Sequence, residues 1–207
     1  MEPNGIKKQH IIEAALKRFS HFGINKTTMS EIAEDIAVSK ANLYYYFPDK
    51  TALVIEVIKH LIAEGMQAYN EILNQSMSVL EMLIRFLKIR RDFFEKHYLL
   101  HITLGFADSH LNMEELEALR EYAETKELEI LHKTFKKGID TLELVTFDVK
   151  IISQMYFTIL KGIAMVSISR ISNKDIPDIS IFSEIFEKQK IASTIFLNGL
   201  RHDLIKN

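Results

Sequence analysis

The sequence predicts an all-α protein: an N-terminal three-helix helix-turn-helix head, residues 1–50, followed by a larger helical domain, residues 51–207. Three observations carry this. Apolar residues recur at i, i+3, i+4 and i+7 along most of the chain, the spacing of one helix face. Thr28/Glu31 and Ser78/Glu81 have the S/T-x-x-E spacing of a capping box, in which each side chain satisfies the other residue's exposed backbone N–H. The stretch from Phe147 to about Ile171 is apolar nearly all round, as in a helix covered on several sides.

Residues 6–22 come first, with Ile12, Ala15, Leu16 and Phe19 on one face and Gly23 as C-terminal cap. Lys7 and Lys8 read equally as backbone contacts to a polyanion or as solvated surface lysines. A short helix starts at Thr28, buries Ile32, Ala33 and Ile36, and turns Glu34 and Asp35 to water. Ala37-Val38 is the turn, and Ser39 is a good N-cap for a second short helix. In that helix Leu43 and Phe47 are four apart and pack inward, while Lys40, Ala41, Asn42, Tyr44 and Tyr45 point out. Pro48 ends it, since the residue before proline avoids the α region. Asp49 caps the next helix.

From Lys50 to about Gln75 a long helix carries Leu53, Val54, Val57, Ile58, Leu61 and Ile62, with Gly65 as a candidate bend. It begins beside the head and continues into the second region, a mechanical link between them. Ser78 opens a helix with Leu80, Leu83, Ile84, Leu87 and Phe94. Gly105 marks a short or broken helix. Asn112 caps another that stops at Gly138, and Thr146 caps the apolar one. A loop at 173–180 precedes a last helix at about 181–204.

Composition narrows the class. Hydrophobic residues make up 47% of 207, enough for a full core. There is no Cys, hence no disulfide framework or thiolate metal site. The N-terminus lacks the apolar region of a secretory signal, and no run of about 18 apolar residues suggests a membrane span. The expected setting is cytoplasmic. Net charge is -2, and the first fifty residues hold seven Lys and Arg against six Asp and Glu. Bulk charge therefore does not announce a nucleic-acid partner, and the motif must carry that reading.

Two helices, a tight turn and a polar second helix make a helix-turn-helix, whose second helix enters the major groove N-terminus first. Small or hydrogen-bonding residues at Ser39–Asn42 permit close approach to base edges; Asn can read adenine and Lys guanine. Tyr44, Tyr45 and Lys50 suit phosphates.

With TT-x3-IA-x3-VS-x2-LYYYF-x-DK-x2-L preceded by a helix ending in Phe22-Gly23, the first quarter of the chain resembles the TetR family of bacterial transcriptional repressors, the TetR/AcrR type. The resemblance implies Ser39, Lys40, Ala41 and Asn42 at the groove, with Ser30 as a further contact, and Thr28, Tyr44, Tyr45 and Lys50 on phosphates of a double-stranded operator. Ala37 departs from the Gly frequent in that turn; a left-handed backbone there would cost Ala about 1–2 kcal/mol.

The resemblance also implies a small-molecule effector pocket between the middle helices. Candidate lining residues are Phe93, Phe94, His97, Tyr98, His101, Phe106, Tyr122, Met155, Tyr156 and Met165. The alternative is that these aromatics and methionines are core. His97 and His101 also have a metal-pair spacing, but without a carboxylate at helical spacing they read first as core or pocket groups. No cofactor or metal is expected.

The wide apolar faces near 147–171 and 181–204 point to a two-fold homodimer, with Gly162, Ser167 and Ser169 allowing close approach; a buried helix in a monomer is the alternative. Two heads would then stand about 34–36 Å apart, one turn of DNA. No G-x-S-x-G, P-loop, dinucleotide glycine pattern or H-E-x-x-H occurs, so an enzyme is not expected. The expectation is a dimeric repressor released from its operator by a small, mainly apolar ligand. A helical protein–protein interaction module without DNA binding is the alternative.

Overall fold

The computed structural model describes residues 3–98, 113–169 and 178–201. Among them are eight helices: α1 (Pro3–Phe22), α2 (Met29–Asp35), α3 (Lys40–Tyr46), α4 (Lys50–Leu73), α5 (Val79–Lys96), α6 (Met113–Asp140), α7 (Val149–Ser169) and α8 (Ser180–Asn198). Packing divides the chain into two units, Met1–Glu64 with Lys96–Ala123, and Gly65–Glu95 with Glu124–Asn207. The helices confirm the all-α class.

In the first unit the buried faces of α1 to α4 meet. Ile11, Ala15, Phe19, Ile32, Leu43, Phe47, Leu53, Val54 and Val57 are all at most 2% exposed. The punctuation falls where local chemistry requires it. Gly23 takes φ 81 and its N–H donates to Phe19 O at 2.9 Å, a left-handed stop that a side chain would strain. Thr28 and Glu31 form the reciprocal capping box. Asp49 Oδ1 accepts from Ala52 N at 2.8 Å.

The second unit is built around Leu83, Leu131, Phe135, Tyr156 and Leu160, with Phe135 edge-on to Phe147, Tyr156 and Phe196. α7 and α8 pack along each other. Between them runs a buried polar chain: Tyr156 OH to Ser193 Oγ at 2.6 Å, Ser193 Oγ to Gln189 O at 2.7 Å, and Gln189 Nε2 to Leu160 O at 2.8 Å. Burial pushes the Tyr156 phenol up to about 12, so it keeps its proton. The Ser78/Glu81 box opens α5, and Glu143 Oε2 accepts from Val79 N in the same first turn. The Lys137 ammonium donates to Leu73 O and Gln75 O, capping the C-terminal end of α4.

Three boundaries differ from the sequence expectation. α6 does not stop at Gly138 but continues to Asp140. That glycine is in the helix because a Cβ would stand 2.6 Å from Val79 and 2.7 Å from Leu144; it serves a close approach, not a cap. α7 is capped by Asp148, whose Oδ1 accepts from Lys150 N and Ile151 N, rather than by Thr146. The last helix ends at Asn198, and the chain then bridges Leu144 to Arg201. Gly105 and Asn112 lie outside the described residues.

α7 combines two faces. Ser153, Tyr156, Phe157 and Leu160 are buried, whereas Ile151, Met155, Ile159, Met165, Val166 and Ile168 are 36% to 62% exposed. α8 leaves Ile191 and Ile195 open at 59% and 68%. α7 is also long and apolar enough to cross a membrane by length and composition, although no uninterrupted apolar run exists. Gly162 faces open space, while Ser167 is buried and accepts from the Lys188 ammonium.

Candidate nucleic-acid interface

α2 and α3 are each seven residues long, too short to persist alone. Their geometry is imposed by caps and neighbours. Arg18 on α1 reaches Asp35 through Nε at 2.5 Å and Nη2 at 3.0 Å, and Glu31 through Nη1 at 3.3 Å. The guanidinium holds Asp35 below the usual carboxylate range, and Glu31 is held low first by its Thr28 hydrogen bonds. Asp35 is thus exposed but engaged, not merely turned to water. Lys8 resolves the other way from either expectation: its Nζ pairs with Glu56 on α4 at 2.8 Å and lies over the Phe47 ring. Sequence reasoning missed both tethers, because an ion pair across tens of residues leaves no periodic signature.

The turn from α2 to α3 is a Schellman motif. Val38 N donates to Ala33 O at 3.0 Å and Ala37 N to Glu34 O at 3.1 Å, with Ala37 at φ 53. The left-handed position expected here is therefore occupied by a non-glycine residue. Ser39 Oγ accepts from Asn42 N at 3.1 Å and fixes the start of α3. Leu43 and Phe47 anchor it from beneath.

What α3 turns outward is the predicted set. Ser39, Lys40, Ala41 and Asn42 are exposed, as are Tyr44 and, at 75%, Tyr45. Lys40 Nζ lies 5.9 Å from the centre of the Tyr44 ring, so cation and aromatic share one patch. Tyr45 meets Tyr46 edge-on. Lys50 is half-buried, and burial lowers its pKa while Glu31 opposes that. Ser30 is half-buried, and the Thr28 hydroxyl is exposed but donates to Glu31 Oε2 at 2.8 Å. An outside acceptor at Thr28 would compete with the capping box. The arrangement can present short hydrogen-bonding groups at the start of a helix, with aromatic hydroxyls and ammonium groups behind them.

The effector-pocket candidates fall in both units. In the second unit Phe93 and Phe94 meet edge-on, and Phe94 stacks on Phe182. Tyr156 is fully buried, while Met155 and Met165 lie on the exposed side of α7. In the first unit, His97 is 3% exposed and its Nδ1 lies 2.9 Å from Ser20 Oγ; burial and Lys96 lower its pKa. Tyr98 is half-buried and Tyr122 is 43% exposed. His101 and Phe106 lie outside the described residues, so the His97/His101 spacing has no geometry to report. A cleft of about 1150 Å³ in this unit is lined by His10, Leu16, Phe22, His60, Glu64 and His97 among others. No cluster of three metal-ligating side chains occurs among the described residues.

Residues 11–57 match the model of the bacterial regulatory proteins of the tetR family. HTH-type transcriptional regulator RutR of Escherichia coli (strain K12) is 38% identical over 90 residues, 42% of this chain and 42% of that protein. The match thus spans less than half the length of this curated relative. A crystal structure of a transcriptional regulator from Cytophaga hutchinsonii ATCC 33406 is similar at 30% identity, with a TM-score of 0.84 over 94% of this chain and 98% of that one. The regulator FadR from Bacillus subtilis, in complex with stearoyl-CoA, shares the fold at 20% identity and TM-score 0.61, over 87% and 96%. The protein is a helix-turn-helix regulator by class. It belongs to the TetR family, whose members are transcriptional regulators rather than enzymes.

Proposed function

We propose that the protein is a dimeric transcriptional repressor of the cytoplasm that binds a near-palindromic double-stranded DNA operator and releases it when a small, mainly apolar molecule binds. Residues 1–50 carry DNA binding; residues 51–207 carry effector binding and dimerisation. The observation that supports this best is α3: a helix pinned by Ser39, Leu43 and Phe47 that exposes Ser39, Lys40, Ala41, Asn42, Tyr44 and Tyr45 together. Ser39–Asn42, with Ser30, read base edges. Thr28, Tyr44, Tyr45 and Lys50 hold phosphates and set the register without reading sequence.

The exposed apolar sides of α7 and α8 support a second copy of the chain as their cover, since one copy leaves Ile159, Met165, Ile191 and Ile195 in water. In the dimer the effector acts by binding better to the conformation whose heads are wrongly spaced for DNA, and shifts the equilibrium only by that difference. The fold neighbour bound to stearoyl-CoA supports a small-molecule site in this architecture.

The test is selection of bound sequences from random duplex DNA with the full-length protein at near-physiological salt. Enrichment of a palindrome is expected, with half-sites about 10 base pairs apart or a multiple of that. A folded dimer that enriches nothing, both as purified and after unfolding, ligand removal and refolding, would overturn the reading in favour of a helical interaction module.

A further inference from the structure

Arg90 sits inside the second unit in an arrangement that a purely structural ion pair does not need. Its side chain is 15% exposed. Nη1 donates to Glu127 Oε2 on α6 at 2.6 Å. Among the described residues the other edge of the guanidinium, Nε and Nη2, has no acceptor, and Glu127 Oε1 has no donor. Guanidinium and carboxylate usually pair fork to fork, using two parallel bonds. Here each partner spends half of that capacity.

The surroundings are apolar and aromatic. Phe86 and Phe94, one turn before and one turn after Arg90 on α5, place their ring centres 5.9 Å and 5.8 Å from the guanidinium carbon. Tyr69 from α4 and Tyr156 from α7 are close enough for the Arg90 charge to act on both hydroxyls. Nearby Glu124 is paired with Lys161. Burial holds the Glu127 carboxyl above its ordinary range; Arg90 opposes this and Glu124 adds to it. The cation is therefore fixed and permanent, and its resident acceptor is the weaker half of the pair.

We propose that Arg90 anchors an oxyanion, a carboxylate or phosphate monoester on an otherwise apolar molecule, through its Nε/Nη2 edge, while Glu127 keeps Nη1. The inference rests on the proposed effector-regulated function and names the chemical class of that effector. The Nε/Nη2 edge matches two oxygens of one anion, and the half-buried Phe94 ring borders the apolar body.

The experiment is calorimetric titration of the full-length protein at pH 7.5 with octanoate, dodecanoate and 2-naphthoate, each beside its neutral primary amide, and with dodecyl phosphate. At least one anion should bind about tenfold or more tightly than the neutral compound of the same body, the worth of a charge-assisted hydrogen bond. Arg90→Gln should remove that preference. Glu127→Gln should strengthen anion binding about tenfold, because a carboxylate on the same guanidinium no longer repels the anion. A pair with a purely structural role gives the opposite sign for Glu127→Gln, which also decides the matter if Arg90→Gln fails to fold. Preference for dodecyl phosphate over dodecanoate supports the anchor and assigns the phosphate source. Equal binding of acids and amides, a preference that survives Arg90→Gln, or no binding of any anion below 1 mM overturns the proposal. The titration contains no DNA, so its failure leaves operator selection standing, and the reverse holds too.

Discussion

Replacing Ala37 by Gly should make the protein more stable. Ala37 stands at φ 53 in the Schellman turn, where an L-residue with a Cβ is disfavoured by about 1–2 kcal/mol. Glycine removes that strain but widens the unfolded ensemble, which costs about 0.4–1 kcal/mol. The Ala37 side chain is exposed, so little packing is lost, and both hydrogen bonds of the motif are made by backbone. The net gain is about 0.5–1 kcal/mol. For a chain of this size that raises Tm by about 1–4 °C in a circular dichroism melt at fixed protein concentration. Ala37→Val should do the reverse by at least as much, since a β-branched residue is least tolerant of that backbone. A lower Tm for Ala37→Gly, together with an unchanged one for Ala37→Val, would refute the reasoning.

Gly138→Ala should destabilise by about 1–3 kcal/mol in urea unfolding, because the added methyl meets Val79 and Leu144 in a packed core. The lowered carboxyls of Glu31, Asp35, Glu56 and Glu81 bind fewer protons folded than unfolded. Their contribution is therefore whole above the ordinary carboxylate pKa of about 4 and is lost as pH falls through the depressed values; unfolding at stepped pH should show it, with a shallower fall in Asp35→Asn. If the proposed dimer forms through α7 and α8, Ile159→Lys together with Ile195→Lys should sediment as monomer with the helical spectrum kept. Lys50→Ala should weaken binding across sequences and flatten the salt slope by about one, whereas Asn42→Ala should also change base preference in the selected sites.

Most of the head was legible because its signals are local. Capping boxes, a proline stop and i, i+4 apolar pairs each work within one turn, and so Thr28, Ser39, Leu43 and Phe47 do in three dimensions what their spacing implies. Tertiary pairing was not legible. Nothing near Arg18 announces Asp35, nothing near Lys8 announces Glu56, and nothing in Arg90 or Glu127 marks them as partners. Gly138 shows a related limit. A glycine near a helix end reads as a stop, and only the approach of Val79 and Leu144 reveals a second reason for it. Apolar periodicity likewise finds both faces of α7 but cannot say which one the chain itself covers, so Met155 and Tyr156, adjacent in sequence, lie on opposite sides.

The lysine that closes the end of α4 also carries a chemical readout. An ammonium shared between Leu73 O and Gln75 O must leave both carbonyls before its nitrogen can attack an acylating reagent. Modification of Lys137 therefore proceeds at the rate set by fraying of that helix end, while exposed lysines such as Lys136 react at once. Comparing the two amines by mass spectrometry turns one cap into a clock for local opening, readable with and without effector in the same tube.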